Sequence, residues 1–218
     1  MINFLNSTLT FQLLAACGAL IPLSTSLITA LAYRGEDDEP YSPLNHFISE
    51  LGKVGVSRLS WVFNLGLILA GLCMLLESIS LGLMLDNLLG KIALGFGVIS
   101  AISLAMVGLF PMNRRKPHGY AALAYFRSGL VMVILFSLAI LFQKDGTRIF
   151  PRWLSLAGIL PVTAFSTFLL MIQKAYKATE DPLATKDVAR PKVWNLAIAE
   201  WSIFVTMLVW IGVIAMGV

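Results

Sequence analysis

Six stretches of the chain, each about 20 residues or longer, run almost without a charge. They are roughly Phe11 to Tyr33, Leu59 to Ile79, Gly90 to Pro111, Gly119 to Phe142, Trp153 to Gln173 and Trp194 to Val218. A helix needs about 20 apolar residues to cross the hydrocarbon core of a bilayer, so each stretch is long enough to span it. The runs are continuously apolar, whereas barrel strands alternate in character over about 10 positions, so the spans are helices. Only 13% of the residues are charged and 58% are hydrophobic. A soluble domain carries about 25% charge, so a soluble globular fold is excluded. The expectation is an all-α polytopic integral membrane protein, a single domain over residues 1–218. It is a six-transmembrane-helix bundle with a short interfacial helix in the first loop. The second span is the least defined at its end, because Glu77, Ser78 and Ser80 precede further apolar residues before Asp86. Its last turns are expected in the interface, with Glu77 near that surface.

Ala30-Leu31-Ala32 resembles a small-residue cleavage site, but Met1 to Thr10 holds no basic residue and the apolar stretch exceeds a signal core, so the first helix is expected to be retained. Lys and Arg outside the spans decide orientation. The second and fourth loops, with Lys91 at the very edge of the third span, carry four (Lys91, Lys144, Arg148, Arg152). The first, third and fifth carry eleven, from Arg34, Lys53 and Arg58 through Arg114, Arg115 and Lys116 to Lys174, Lys177, Lys186, Arg190 and Lys192. Loops one, three and five are therefore expected in the cytoplasm and both termini outside, in a plasma (inner) membrane. A net charge of +4 is scattered over short loops and forms no basic stripe, so nucleic acid is not an expected partner; membrane lipids are, and a homo-oligomer is compatible. Cys17 and Cys73 fall inside spans and read as free thiols.

The first loop holds Ser42-Pro43-Leu44-Asn45-His46-Phe47-Ile48-Ser49-Glu50-Leu51-Gly52. Ser42 suits an N-cap, Pro43 the first helical position and Gly52 the residue past the end, which predicts a two-turn interfacial helix over 43–51. At 100° per residue Leu44, Phe47, Ile48 and Leu51 share one face, and Asn45, His46, Ser49 and Glu50 the other. The third loop brings Asn113 and His118 to the same membrane side. Arg127 in the fourth span and Glu200 in the sixth are both entered from that side and lie at matching depth, about 9 to 12 Å below the surface. An unpaired charge there costs about 2.5 to 3.5 kcal/mol, so the two are expected to pair. Tyr120, seven residues before Arg127, shares its face; His118, nine residues before it, points the opposite way.

The run Tyr41-Ser42-Pro43-Leu44 with Ile48-Ser49-Glu50-Leu51-Gly52, followed by Gly108-Leu109-Phe110-Pro111 and then by His118 with Ala121, Ala122 and Phe126, resembles the integral membrane family called domain of unknown function 998. The resemblance covers the whole chain and implies a multi-pass membrane protein of uncharacterised activity. Ser49, Glu50, Pro111 and His118 are the positions that match the family's pattern, and no catalytic role comes with them. The order of the glycine-phenylalanine-proline end and the following histidine is also similar to six-span lipid-associated proteins of the Frag and damage-regulated autophagy modulator type, as an analogy of layout.

Three functions stay open on these residues. The first is binding of a lipid headgroup or small amphiphile in a polar cavity near one membrane face, with Asn45, Ser49, Glu50, His118, Tyr120, Arg127 and Glu200 as ligand-binding residues. The second is a metal-dependent intramembrane hydrolase or transferase in which His46, Glu50 and His118 hold zinc and leave a position for water. The third is a structural or assembly subunit in which the polar residues only lock helices together. No phosphate-binding glycine loop, haem attachment motif or serine nucleophile elbow is present.

Overall fold

The computed structural model describes residues 5–178 and 191–218. Lys186 and Arg190 of the fifth loop, part of the charge count above, lie outside the described residues. Six long helices follow one another: α1 (Thr8–Ala32), α2 (Ser60–Met84), α3 (Leu88–Leu109), α4 (Arg115–Leu141), α5 (Ile159–Ala178) and α6 (Asn195–Met216). There is no strand among the described residues. Each of the six regions is long and apolar enough to cross a membrane. In lipid every backbone N–H and C=O must find its partner within the protein, and a continuous helix does this with its own ladder. The outward faces stay apolar. Leu13, Leu20 and Leu31 are 57%, 62% and 76% exposed, the reverse of a water-soluble surface.

Consecutive helices pack on one another, and α6 returns to α1, so the six close into a ring. Gln12 near the start of α1 donates to the carbonyls of Ala215 and Val218, at 3.0 and 3.4 Å, which ties the beginning of the ring to its end. Close packing of α2 on α3 depends on small residues. A Cβ placed on Gly71 would sit 2.8 Å from the carbonyl oxygen of Ala101 and 2.9 Å from the nitrogen of Ala105. Small residues let helix backbones approach in lipid, where no hydrophobic force drives them together.

The ends of the spans show where side chains overrule the apolar pattern. Instead of ending in the interface, α2 continues to Met84, and Glu77 is buried inside the bundle at 8% exposure. Ser80, one turn on, donates to the carbonyl of Leu5 at 2.5 Å. The fifth apolar run begins as a 3-10 helix, Arg152–Gly158, and becomes α only at Ile159. Pro161 has no N–H for the carbonyl of Ala157, so an α ladder cannot extend back through that turn. The loop before it is closed by Gln143, whose amide donates to the carbonyls of Ile140 and Phe150 and accepts from the N–H groups of Ile149 and Phe150. Cys17 and Cys73 are free thiols.

The two-turn helix over 43–51 does not form. The chain makes a turn at Ser42–His46, with the N–H groups of Asn45 and His46 donating to the carbonyl of Ser42 at 3.1 and 2.9 Å. Phe47 is then extended at φ −63° and ψ 146°, and a short 3-10 helix follows over Ile48–Gly52. The cause is competition for backbone groups. An α-helix would join the N–H of Ile48 to the carbonyl of Leu44. Instead Ile48 donates to Glu200 Oε2 at 2.7 Å, and Leu44 accepts from the N–H of Trp194 at 2.8 Å. The N–H of Phe47 donates to Glu50 Oε1 at 2.9 Å. Charge-assisted bonds of this kind are about twice as strong as neutral ones, so two carboxylates halt the helix. The predicted faces dissolve with it: Leu44 is exposed, whereas His46 and Glu50 are buried with Phe47 and Leu51.

The glycine contact gives a direct test of the ring. Gly71→Ala should destabilise the folded state by about 1–3 kcal/mol, because the new methyl meets backbone that cannot yield. Gly95→Ala, where a Cβ meets open space, should change stability by less than about 0.5 kcal/mol. Reversible unfolding of the two variants in mixed micelles against the original chain measures both.

Candidate functional site

The first loop folds back over the ends of α1, α2 and α6 as a plug. Asn64 on α2 donates to the carbonyl of Gly52 at 3.0 Å. Asn113, in the third loop, accepts from the N–H of Val54 at 2.7 Å and donates to its carbonyl at 2.8 Å, so one side-chain amide clips the two loops together. Lys53 pairs with Glu36 at 2.5 Å. Under these contacts lies an aromatic cluster. The rings of Tyr33, Tyr41 and His46 meet with centroids 5.1 to 5.4 Å apart. Trp201 of α6 joins them edge-on to Tyr41 at 6.0 Å. The Tyr41 hydroxyl accepts from the Trp201 indole N–H at 2.9 Å and donates to the carbonyl of Phe47 at 2.9 Å. Burial, with Glu200 as the next cause, holds the Tyr41 phenol far above its ordinary range, so it acts as a neutral bridge.

His46 stands on the outer side of this cluster. Its Nδ1 faces the N–H and carbonyl of Ser42 at 3.2 and 3.3 Å, and its Nε2 lies 3.5 Å from Glu39 Oε1. Burial pushes the Glu39 carboxyl upward. The N–H groups of Glu39 itself and Asp37, together with His46, outweigh that push and hold it below the usual carboxylate range.

Inside the plug, between it and the ring, is a cavity of about 70 Å³. Ser49, His118 and Glu200 are its polar walls, and apolar residues such as Phe63, Val107 and Ile203 make up most of the rest. These three residues come from three separate segments. Ser49 is set by the 3-10 turn, Glu200 by the second turn of α6, and His118 by the first turn of α4. His118 Nδ1 lies 2.8 Å from the carbonyl of Phe110, the residue that closes α3. A carbonyl only accepts, so Nδ1 carries the proton and the neutral ring presents Nε2 as an acceptor. Glu200 accepts from the N–H of Ile48 and also bonds to the N–H and hydroxyl of Ser49, and a carboxylate has about four such sites. The Ser49 hydroxyl, the Glu200 carboxylate and His118 Nε2 can each accept a hydrogen bond from an occupant.

Of the seven ligand-binding residues read from the sequence, Ser49, His118 and Glu200 are brought together around this cavity. Glu50 is buried with its carboxylate turned to Phe47, and Asn45 sits half-buried in the turn ahead of it. Tyr120 is 75% exposed and Arg127 is exposed on the same outward face of α4. The Arg127–Glu200 pair is therefore not formed. The two share a depth, but His118 and Arg127 stand nine residues and half a turn apart, so the helix that turns His118 inward turns Arg127 outward. His46, Glu50 and His118 do not converge either. Among the described residues no group of three His, Cys, Asp or Glu side chains is gathered closely enough to hold a metal ion. Each has its bonds in its own neighbourhood: His46 with Ser42 and Glu39, Glu50 with Phe47, His118 with Phe110. Tyr125 and Phe204, which also wall the cavity, were not singled out in the sequence, where an aromatic ring in an apolar run carries no distinguishing signal.

Two outcomes test this geometry. Tyr41→Phe strands a buried indole N–H and a carbonyl together, and should cost about 1–3 kcal/mol of stability in the same unfolding measurement. Glu39 is held below its ordinary value near 4.5. Its contribution to stability is therefore present above that value and lost as pH falls through the lower folded-state value. Glu39→Gln should accordingly flatten the acid limb of a stability-against-pH profile below about pH 4.5 by lowering stability in the neutral range by the same amount, a small one since the group is partly exposed and screened.

No curated protein and no solved structure matches the chain. Residues 14–217 match the family described as "Protein of unknown function (DUF998)", nearly the whole length of the sequence. That span takes in the plug, all three polar walls of the cavity and most of every helix of the ring, and the chain belongs to this family.

Proposed function

We propose that the protein binds the primary-ammonium head of a lipid or small amphiphile in the cavity beneath the first-loop plug. The observation that carries this reading is the polar wall itself: a carboxylate, a hydroxyl and an imidazole nitrogen, all able to accept, set in an otherwise apolar cavity. An ammonium offers three donors and the opposite charge to Glu200. Pockets for drug-sized ligands measure about 300 to 1,000 Å³. A cavity of about 70 Å³ suits an aminoethyl head, with the tail left to the apolar wall or to lipid. Arg127 lies on the outward face, so nothing cationic in the cavity wall favours an anionic head. The excess of Lys and Arg on the first, third and fifth loops supports an orientation with this cavity toward the cytoplasmic leaflet and both termini outside.

The test compares the protein in nanodiscs of phosphatidylcholine, of phosphatidylcholine with phosphatidylethanolamine, and of phosphatidylcholine with added n-hexylamine. Binding to the folded state raises the unfolding midpoint by mass action. The ethanolamine lipid, the free amine or both should raise it, and the arms distinguish a lipid from a small amphiphile as the source. Glu200→Gln keeps an acceptor for Ile48 and removes the charge, so it should abolish the rise. Equal midpoints in all three membranes, or a rise that survives Glu200→Gln, overturn the reading.

A further inference from the structure

Beyond the plug, the axis of the ring holds a second cavity, of about 90 Å³, on the side toward the chain termini. It shares Leu67, Leu104, Tyr125 and Phe204 with the first, so the two lie end to end along the bundle with those side chains as the common wall. Its surface is mostly apolar; Ser78, whose hydroxyl faces Met132 Sδ at 3.9 Å, and Tyr125 border it, and two further polar side chains reach it. Glu77 of α2 and Trp210 of α6 both line it, at 8% and 3% exposure. Glu77 Oε1 and the Trp210 indole Nε1 are each buried without a hydrogen-bond partner among the described residues. Buried polar groups are paired in the great majority of cases, and an orphan marks a missing partner. Here the orphans are complementary: one accepts, the other only donates.

The geometry points to this cavity as a binding site for a small apolar molecule bearing a single hydroxyl, which donates to Glu77 and accepts from Trp210. A hydroxyl is the smallest group that does both. An ammonium satisfies the carboxylate and leaves the indole N–H unmet; an ether does the reverse. The volume equals the share of about three water molecules in the liquid, which suits an alcohol of two to four carbons or the hydroxyl end of a longer chain. The site shares a wall with the ammonium cavity at Glu200 but differs from it in its polar groups.

The experiment uses a butanol-sized photoreactive alcohol, 2-(3-methyldiazirin-3-yl)ethanol, on the full chain in nanodiscs, with labelled residues located by mass spectrometry. The expected result is saturable labelling within the α2 and α6 segments that carry Glu77 and Trp210. 1-Butanol should protect them about tenfold better than methyl propyl ether or 1-butylamine, the ratio expected when one buried group is left unpaired. Trp210→Phe keeps the ring and removes the donor, and should reduce labelling at Glu77 by a similar factor. Should that variant fail to fold, the competition series on the unaltered protein decides the matter alone. Labelling that does not saturate shows a cavity holding water only and overturns the proposal. So does protection by the amine equal to that by butanol, which marks a cation site, or by the ether, which marks a merely apolar one.

Discussion

Lipid offers no hydrogen bonds, and every other feature of this molecule follows from where that demand is met and where it is not. Along the six spans the helix ladder meets it locally, and the outward leucines can then face the bilayer at no polar cost. The demand returns at the helix ends, where carbonyls and N–H groups run out of ladder. His118 closes the end of α3 through Phe110, Asn87 closes the start of the same helix through Gly90, and Gln143 satisfies the turn before α5 with all of its amide hydrogen-bonding groups. These polar residues sit at joints, and a joint is also where a cavity can open.

The first loop is the case in which the competition changes the fold. Its residues carry the punctuation of a helix, yet two carboxylates reach its N–H groups first. Glu50 comes from the loop itself and Glu200 from α6, 152 residues from its partner Ile48. The result is a plug seated on the ring, with an aromatic layer of Tyr33, Tyr41, His46 and Trp201 sealing it. The same bond from Glu200 that stops the helix also holds the carboxylate at the cavity wall, so the local break and the candidate site have one cause.

Closure of the ring explains why cavities lie on the axis. Consecutive helices pack side by side and α6 meets α1, so the centre is filled only by side chains reaching inward. Where those are large, as at Tyr125 and Phe204, they divide the space; on either side of them some remains, with one carboxylate bordering each part. Glu200 and Glu77 thus border different parts of one bundle's axis. Their surroundings differ. Glu200 stands beside the Ser49 hydroxyl and the His118 ring, whereas Glu77 shares its cavity with an indole donor, which is why the two spaces suit different heads.

The number of spans, their helical nature and the inward turn of His118 relative to Arg127 were all legible in the linear chain, because each follows from length, hydropathy or the 100° step of a single helix. The family was legible too, from the spaced elements around Ser49, Glu50, Pro111 and His118. What no linear reading contained was the azimuth of one helix relative to another. Arg127 and Glu200 match in depth and still do not meet, since depth follows from residue count and facing follows from packing. Glu77 reads as interfacial by its polar neighbours, yet it is buried, because α2 runs on to Met84 and the serines beside it find partners inside the protein. The loop helix failed for the same reason: propensity is a property of neighbours in sequence, and the bond from Ile48 to Glu200 joins residues that only the closed ring brings within 2.7 Å.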